Sequence, residues 1–317
     1  MKKFTLLSFI CFSLTCFAQH SFLKQFSLTS DNDLYISIKK DQYYTNGLFL
    51  NYRYLSTHSN KKVLKRIYNF EFAQQMYTPY LSIVNDVSLH DRPFAGYLFG
   101  NFGIDLYFKS NTVLKTALKI GVLGPMAHGE EVMNFVHNLY GYKKAEGWKY
   151  QIANTFALNL ETAYIKPLWI TNSKTIDINW CNSVRLGTIF TKVNTGIYSR
   201  FSLLPLKRMV NSIAFGGNLN QKNLNKSNGS REFFIYVKPS IGLVGYDATI
   251  QGSLFNDNSP VTFDIKHFQY TADLGVLFSK NRYIFEYSIH YYSKKLKSPR
   301  VPNINSYATI KIAYQFN

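Results

Sequence analysis

Apolar and polar residues alternate with a period of two over long parts of this chain, the pattern of a strand whose two faces meet different surroundings. At the C-terminus Ala308, Ile310, Ile312, Tyr314 and Phe316 fall on one face, and Thr309, Lys311 and Gln315 on the other. In NRYIFEYSIHYY, Tyr283, Phe285, Tyr287, Ile289 and Tyr291 oppose Glu286, Ser288 and His290. The same pattern predicts strands over 22–32, 44–55, 67–77, 95–108 and 113–123, with turns at His58-Ser59-Asn60 and Lys109-Ser110-Asn111. Along the second strand Thr45, Gly47, Asn51 and Arg53 share the polar face, and Leu48, Leu50, Tyr52 and Tyr54 the apolar one. Such strands serve a soluble sandwich as well as a barrel, so periodicity alone sets the class as all-β.

The first residues separate the two. MKKFTLLSFICFSLTCFAQ carries two lysines, an apolar run and small residues before Gln19, which predicts a secretory signal over 1–18 and one domain over 19–317. A lipidated Cys16 is disfavoured by Ser13, which stands where an aliphatic residue is wanted. Cys11 and Cys16 leave with the signal, so Cys181 remains alone and no internal disulfide can form. No later stretch approaches the ~18 apolar residues of a membrane helix. If this exported chain sits in a membrane, it does so as an antiparallel transmembrane β-barrel. Aromatic residues make up 17% of the chain, enough to supply interfacial girdles.

Charge narrows the partners. Lys+Arg 36 against Asp+Glu 18 gives +18, a balance often taken for nucleic-acid binding. An exported barrel meets a different polyanion first, the phosphorylated glycolipid of the outer leaflet, and no nucleic acid is expected. Lys143, Lys144, Lys222, Lys226, Lys294, Lys295 and Lys297 are available to grip lipid phosphates. Each serves equally as part of a solvated face. Residues 217–231 read as a polar loop.

If the N-terminus starts in the periplasm, the connections 33–43, 78–94 and 124–152 all emerge on the outer side. Each carries a cluster. Asn32-Asp33 is followed by Tyr44-Thr45-Asn46-Gly47, with Thr45 expected to face inward or at the strand edge, near Asp33. His90-Asp91-Arg92-Pro93-Phe94-Ala95-Gly96 forms the second cluster, where Arg92 suits either an anion anchor or an ion-pair partner for a rim acid. In the third, EEVMNFVHNLYG predicts about three helical turns capped by Gly141, with Glu130, Asn134 and His137 on one face. Histidine titrates near neutral pH and can take a proton from water, as ester hydrolysis requires. A surface histidine on a loop helix would look the same in sequence.

Taken in order, ND…YTNGL, DRPFAG and GP…GEEVMNFVH…GW resemble the outer-membrane lipid A 3′-O-deacylase family, the LpxR-like enzymes. The resemblance covers the first half of the mature chain, to about Trp148 and Gln151. It implies a barrel of about 12 strands with a short helix in an outer loop, in the bacterial outer membrane, its site facing the outer leaflet. It also implies a calcium-dependent esterase that removes 3′-linked acyl chains from lipid A. By motif the essential residues fall on Asn32, Asp33, Thr45 and His137, with Arg92, Asn134, Glu130 and Glu131 in support. Met133 departs from the pattern, because some relatives carry an amide there.

The chemistry these residues permit is coherent. His137 activates a water, Ca²⁺ bound through Asp33 steadies the oxyanion, and Thr45 either orients the water or is itself the nucleophile. Glu130 and Glu131 could orient His137, complement the helix N-terminus or add a calcium oxygen. DNDLYISIKKDQ lacks Gly at its sixth position and is no EF-hand loop. The expected partners are lipopolysaccharide and outer-membrane lipids, with the protein acting as a monomer. The rivals are an outer-membrane phospholipase and a non-catalytic porin or adhesin barrel.

Overall fold

In the computed structural model, which describes residues 21–36, 43–56, 62–80, 86–141, 145–221 and 231–317, the alternating segments are strands. In chain order these are β1 Lys24–Asn32, β2 Tyr43–Leu55, β3 Val63–Thr78, β4 Ala95–Phe108, β5 Val113–Leu123 and β6 Thr155–Ile170. They continue as β7 Ile176–Gly187, β8 Phe190–Phe201, β9 Arg231–Asp247, β10 Phe268–Lys280, β11 Tyr283–Ser293 and β12 Ile304–Phe316. Each pairs antiparallel with its neighbour in sequence, and β1 pairs with β12, so the ladder closes into a barrel. Closure pairs every strand on both sides, which is what lets a sheet stand in lipid. The expected signal segment with Cys11 and Cys16, the turn at His58-Ser59-Asn60, and Lys143, Lys144, Lys222 and Lys226 lie outside the described residues.

Period two then assigns each side chain to a face. Phe72, Leu160, Leu243, Phe285 and Ile312 point outward and are exposed, an apolar belt around the wall. The inward face is polar and charged. Arg53 pairs with Asp105 at 2.9 Å, Lys119 with Glu161 at 3.2 Å and His290 with Asp273 at 2.9 Å. The two chain ends share one rim, where Lys24 lies opposite Phe316. The connections after β1, β3 and β5 emerge at the other, distal rim.

Of the expected polar loop over 217–231, residues 222–230 lie outside the described residues; the part of the β8–β9 connection before them is packed against the wall. Residues 205–221 fold back beneath the barrel and stop its terminal mouth. Arg53 donates to Gly216 O at 2.7 Å and Tyr107 to Phe215 O at 2.8 Å. Lys65 donates to the carbonyl oxygens of Val210 and Gly217 and to Asn220 Oδ1. Leu206, Met209, Phe215 and Leu219 bury their side chains against Ile67, Tyr107 and Tyr198 of the wall. The apolar MVNSIAF within an otherwise polar stretch was the available sign of this lid.

Arg200 pins the lid from β8. It pairs with Asp177, donates to Ser212 Oγ at 2.7 Å, and lies 3.5 Å from Glu232. Removing it would leave two buried carboxylates without their cation. The Arg200→Met barrel is expected to lose about 3–5 kcal/mol of stability. A shift in the urea midpoint of unfolding reads this, and an unchanged midpoint would exclude it.

Candidate functional site

The outward faces of β1 to β4 end in one cross-strand row. Asn32 lies opposite Asn46, Asn46 opposite Met76, and Met76 opposite Gly96. Below this row the same faces carry exposed Leu28, Leu48, Leu50, Phe70 and Phe72. At the distal end amides, a thioether and a glycine replace that belt. The helix α1 (Gly129–Tyr140) lies over Met76 and Gly96 from outside the wall.

Two glycines seat this helix. A Cβ on Gly96 would lie 3.2 Å from Gly129 Cα, and one on Gly129 would lie 2.7 Å from the Trp148 ring. One turn on, Met133 is buried in a cluster with Met76, Phe94, Ala145 and Trp148. Trp148 Nε1–H donates to Met133 Sδ at 3.3 Å. Gln74, also outward, donates to Ala127 O at 2.6 Å just before the helix. So α1 crosses from β4 over β3. Gly129, Met133 and His137 form its buried line, at intervals of one turn. From Gly129 to His137 the axis advances about 12 Å, while β4 to β2 is two strand spacings, about 10 Å. The line therefore carries His137 toward β2 and β1, and His137 is buried.

At its distal end β2 departs from alternation. The register with β3 slips between Tyr44 and Asn46, a bulge in which Thr45 is the extra residue. Thr45 was expected either on the inward polar face with Gly47, Asn51 and Arg53 or at the strand edge. Its hydroxyl oxygen lies 2.6 Å from that of Thr78, which shares the outward face of β3 with Met76 and Gln74. Both threonines are buried. Asn32, on the outward face of β1, caps the short 3-10 turn Asp33–Tyr35 by accepting from Leu34 N–H at 2.7 Å. Its amide N–H₂ is what remains to offer a ligand. Asp33 follows, and it is buried. Asn134, half-buried one turn before His137, keeps a buried Oδ1 with no hydrogen-bond partner. An acceptor left so costs about 1–3 kcal/mol, a penalty that a water or substrate donor would remove.

Residues 4–316 match the family described as Outer membrane protein LpxR. The chain belongs to the LpxR family. Among solved structures, LpxR from Salmonella typhimurium is similar with a TM-score of 0.72 at 20% identity, over 92% of this chain and 100% of that one. An outer-membrane channel from Pseudomonas putida F1 has a TM-score of 0.46 at 7% identity, over 93% and 96%. The translocator domain of the autotransporter NalP from Neisseria meningitidis has one of 0.42 at 8% identity, over 93% and 88%. No curated protein matches the chain by sequence.

In this LpxR-family barrel the remaining residues of the motifs have structural partners. Arg92 is buried, donating to Pro93 O, Tyr43 O and Thr249 O at 3.1, 3.3 and 3.1 Å and stacking 4.8 Å over the Tyr77 ring. These contacts make it a buried clamp between three distal connections, with the rim carboxylates of Asp247 and Asp91 acting on its charge. Asp91 accepts from the Tyr43 hydroxyl at 2.9 Å and Tyr80 N–H at 3.0 Å. Glu131 is exposed and pairs with His128 at 3.2 Å. A backbone N–H at the helix start, with His128, holds its carboxyl below the usual range. It complements the helix N-terminus and faces away from the buried line.

Glu130 is half-buried in the first turn of α1, about 10 Å along the axis from His137. That is too far to orient the imidazole directly. Of the expected phosphate-gripping lysines, Lys297 pairs with Asp264 at 3.4 Å, and Lys295 lies 4.5 Å over the Tyr292 ring. Burial pushes the Lys295 ammonium down to about 8. Among the described residues no three acids, histidines or cysteines converge as a metal cluster.

Because α1 is seated through glycine, a side chain at Gly96 should lift it. Gly96→Leu is expected to leave a closed barrel while exposing residues 129–141 to protease. Unchanged cleavage in that segment would show that the helix does not rest there.

Proposed function

We propose that this protein is an outer-membrane hydrolase that removes 3′-linked acyl chains from lipid A, with His137 as general base and Ca²⁺ as cofactor. The observation that carries it is the side of the wall on which these groups collect. Thr45, Asn32 and the buried line of α1 lie on the outward, lipid-contacting face at one rim. An ester in the adjacent leaflet reaches them laterally, without entering the lumen. That rim faces the cell exterior in this proposal, because lipid A occupies the outer leaflet.

Hydrolysis then follows from this chain's own groups. His137 takes a proton from water, and the water oxygen attacks the ester carbonyl. The resulting imidazolium lies in the last turn of α1, whose C-terminal dipole end favours positive charge. The Asn32 amide N–H groups can donate to the developing oxyanion. As the carbon–oxygen bond to the sugar breaks, the imidazolium returns its proton to the leaving alcohol oxygen, giving a free fatty acid and a sugar hydroxyl. Thr45 is paired with the neutral hydroxyl of Thr78, so we assign it to orienting the water rather than to attack. Asn134 Oδ1 is a second acceptor for that water.

Calcium takes hard oxygen ligands, and the residues present fit it through one anion. Asp33 would hold the ion, with neutral oxygens and water completing its shell, and the ion would supply positive charge beside the oxyanion. One carboxylate implies weak binding, in the range of about 10⁻⁴–10⁻³ M typical of low-charge sites. A lumen closed by the lid does not suit a porin.

His137→Ala is expected to abolish acyl release from purified lipid A, read by mass spectrometry, while the barrel keeps its heat-resistant migration. Phospholipid is offered alongside. Chain loss from phospholipid alone would replace the proposal with a phospholipase. Chelation should silence the wild-type protein, and Ca²⁺ should restore it with half-activation at roughly 0.1–1 mM. Full activity in excess chelator would remove the ion from the mechanism.

A further inference from the structure

Asp31, Tyr44 and Gly47 belong to the same motifs as Asn32, Asp33 and Thr45, yet the mechanism uses none of them. All three face inward. The Tyr44 hydroxyl donates to Asp31 Oδ2 at 2.7 Å, and the Thr309 hydroxyl to Asp31 Oδ1 at 2.6 Å. Gln75 Nε2 donates to the Tyr44 oxygen at 3.0 Å. Behind Thr309, His290 Nε2 lies 2.9 Å from its hydroxyl, and His290 Nδ1 lies 2.9 Å from Asp273. The network thus spans β1, β2, β3, β10, β11 and β12.

Its geometry bears on the bulge. Asp31 lies opposite Gly47, so Tyr44 must arc back along β2 to reach it. It can do so only across a bare backbone, because a Cβ on Gly47 would lie 2.3 Å from the Tyr44 hydroxyl. The ring is fixed by Tyr77 at 5.3 Å and Tyr307 at 4.6 Å. With Tyr44 drawn inward and Asn46 paired opposite Met76, the extra residue Thr45 turns outward. On the other strand Asp31, held inward from both sides, is followed directly by Asn32.

We propose that Asp31 and Tyr44 are positioning residues: their hydrogen bond inside the barrel, passing over Gly47 and backed by Thr309 and His290, fixes the bulge that presents Thr45 outward beside Asn32. The network acts through the backbone of adjacent residues and touches no substrate. Its catalytic consequence rests on the function proposed above. Its structural consequence does not.

Tyr44→Phe keeps the ring and deletes the bond. In the full barrel reconstituted with lipid A and Ca²⁺, it is expected to lower kcat by roughly tenfold to a hundredfold with KM nearly unmoved, as misplacement of about 1 Å does. Heat-resistant migration should persist. Gly47→Ala should produce a similar loss, and the double variant should be far less than multiplicative, because both changes break the same bond. A kcat within twofold of wild type, or multiplicative losses, would overturn the proposal. A crystal structure of the Tyr44→Phe barrel tests it without turnover. The Thr45–Thr78 oxygen separation should open well beyond 2.6 Å, and retention of that contact would refute the proposal whether or not lipid A is the substrate. Absence of acyl release from the wild-type protein would instead refute the function, leaving the bulge geometry to decide this point.

Discussion

Alternation across a closed sheet is the constraint on which the rest depends. Once β1 pairs with β12, every residue of every strand belongs either to the lumen or to the lipid side, and a side chain changes sides only where the ladder slips. One slip occurs between Tyr44 and Asn46, and the Thr45–Thr78 contact lies at it. A polar hydroxyl on the outward face of a membrane barrel is unfavourable unless it is paired and covered. Thr78 supplies the pair. Over β3 and β4 the same outward face is covered by α1, whose own seating requires that Gly96 and Gly129 lack side chains.

The lumen is built on the opposite principle. Its carboxylates are matched by cations from neighbouring strands, as with Asp105 between Arg53 and Lys115, or Glu161 between Lys119 and Arg185. Such pairs gain little net stability over apolar packing, but breaking one leaves an uncompensated charge. They also tie the wall to the lid, since Arg53 serves both Asp105 and Gly216. The outcome is a polar interior with cavities, one of about 410 Å³ lined by Arg53, Asp105, Asp273 and His290. Arg53, Lys115, Lys119, Arg185 and Arg200 thus spend their charge on acids inside the barrel rather than on polyanions outside.

The fold was legible because alternation is a local property. Strands expected over 95–108 and 113–123 have those bounds, and the one expected over 67–77 runs from Val63 to Thr78. The helix ending before Gly141 was equally plain, with the left-handed φ of 72° that its cap demands. What eluded the sequence was anything decided across strands. A bulge leaves no mark in the residue pattern, so parity grouped Thr45 with the inward residues and could place it no more closely than inward or at the strand edge. Arg92 could be read as an anchor because its acceptors, Tyr43 O and Thr249 O, come from remote connections. The lid escaped because its apolar residues are few and their partners lie on strands far away in sequence. Met133, which looked like a lost amide, instead fills the contact with Trp148 that holds α1 against the wall.

A hydrolytic site on a lipid-facing wall must admit water to a place that lipid would keep dry. The two halves of α1 divide this problem. Its first turns are sealed by Met133, Phe94 and Trp148, apolar groups that exclude solvent and fix the helix at a set height above β3 and β4. Farther along, the residues directed toward the wall change to Asn134 and His137, and Asn134 Oδ1 has no protein donor. A buried acceptor of this kind is tolerated where a water can satisfy it. The dry end of the helix faces the sealed cluster, and in the proposed site the polar end is turned toward the amide of Asn32 and the paired hydroxyls. Water is therefore favoured at one end of the roof and excluded from the other; under the proposed function an acyl chain stays in the leaflet while only its ester enters the wet end. In the proposed arrangement inward groups such as Asp31 and Tyr44, bonded to each other across Gly47, hold the outward residues from the far side of a wall one residue thick, so side chains that never meet a substrate would govern where the reacting ones stand.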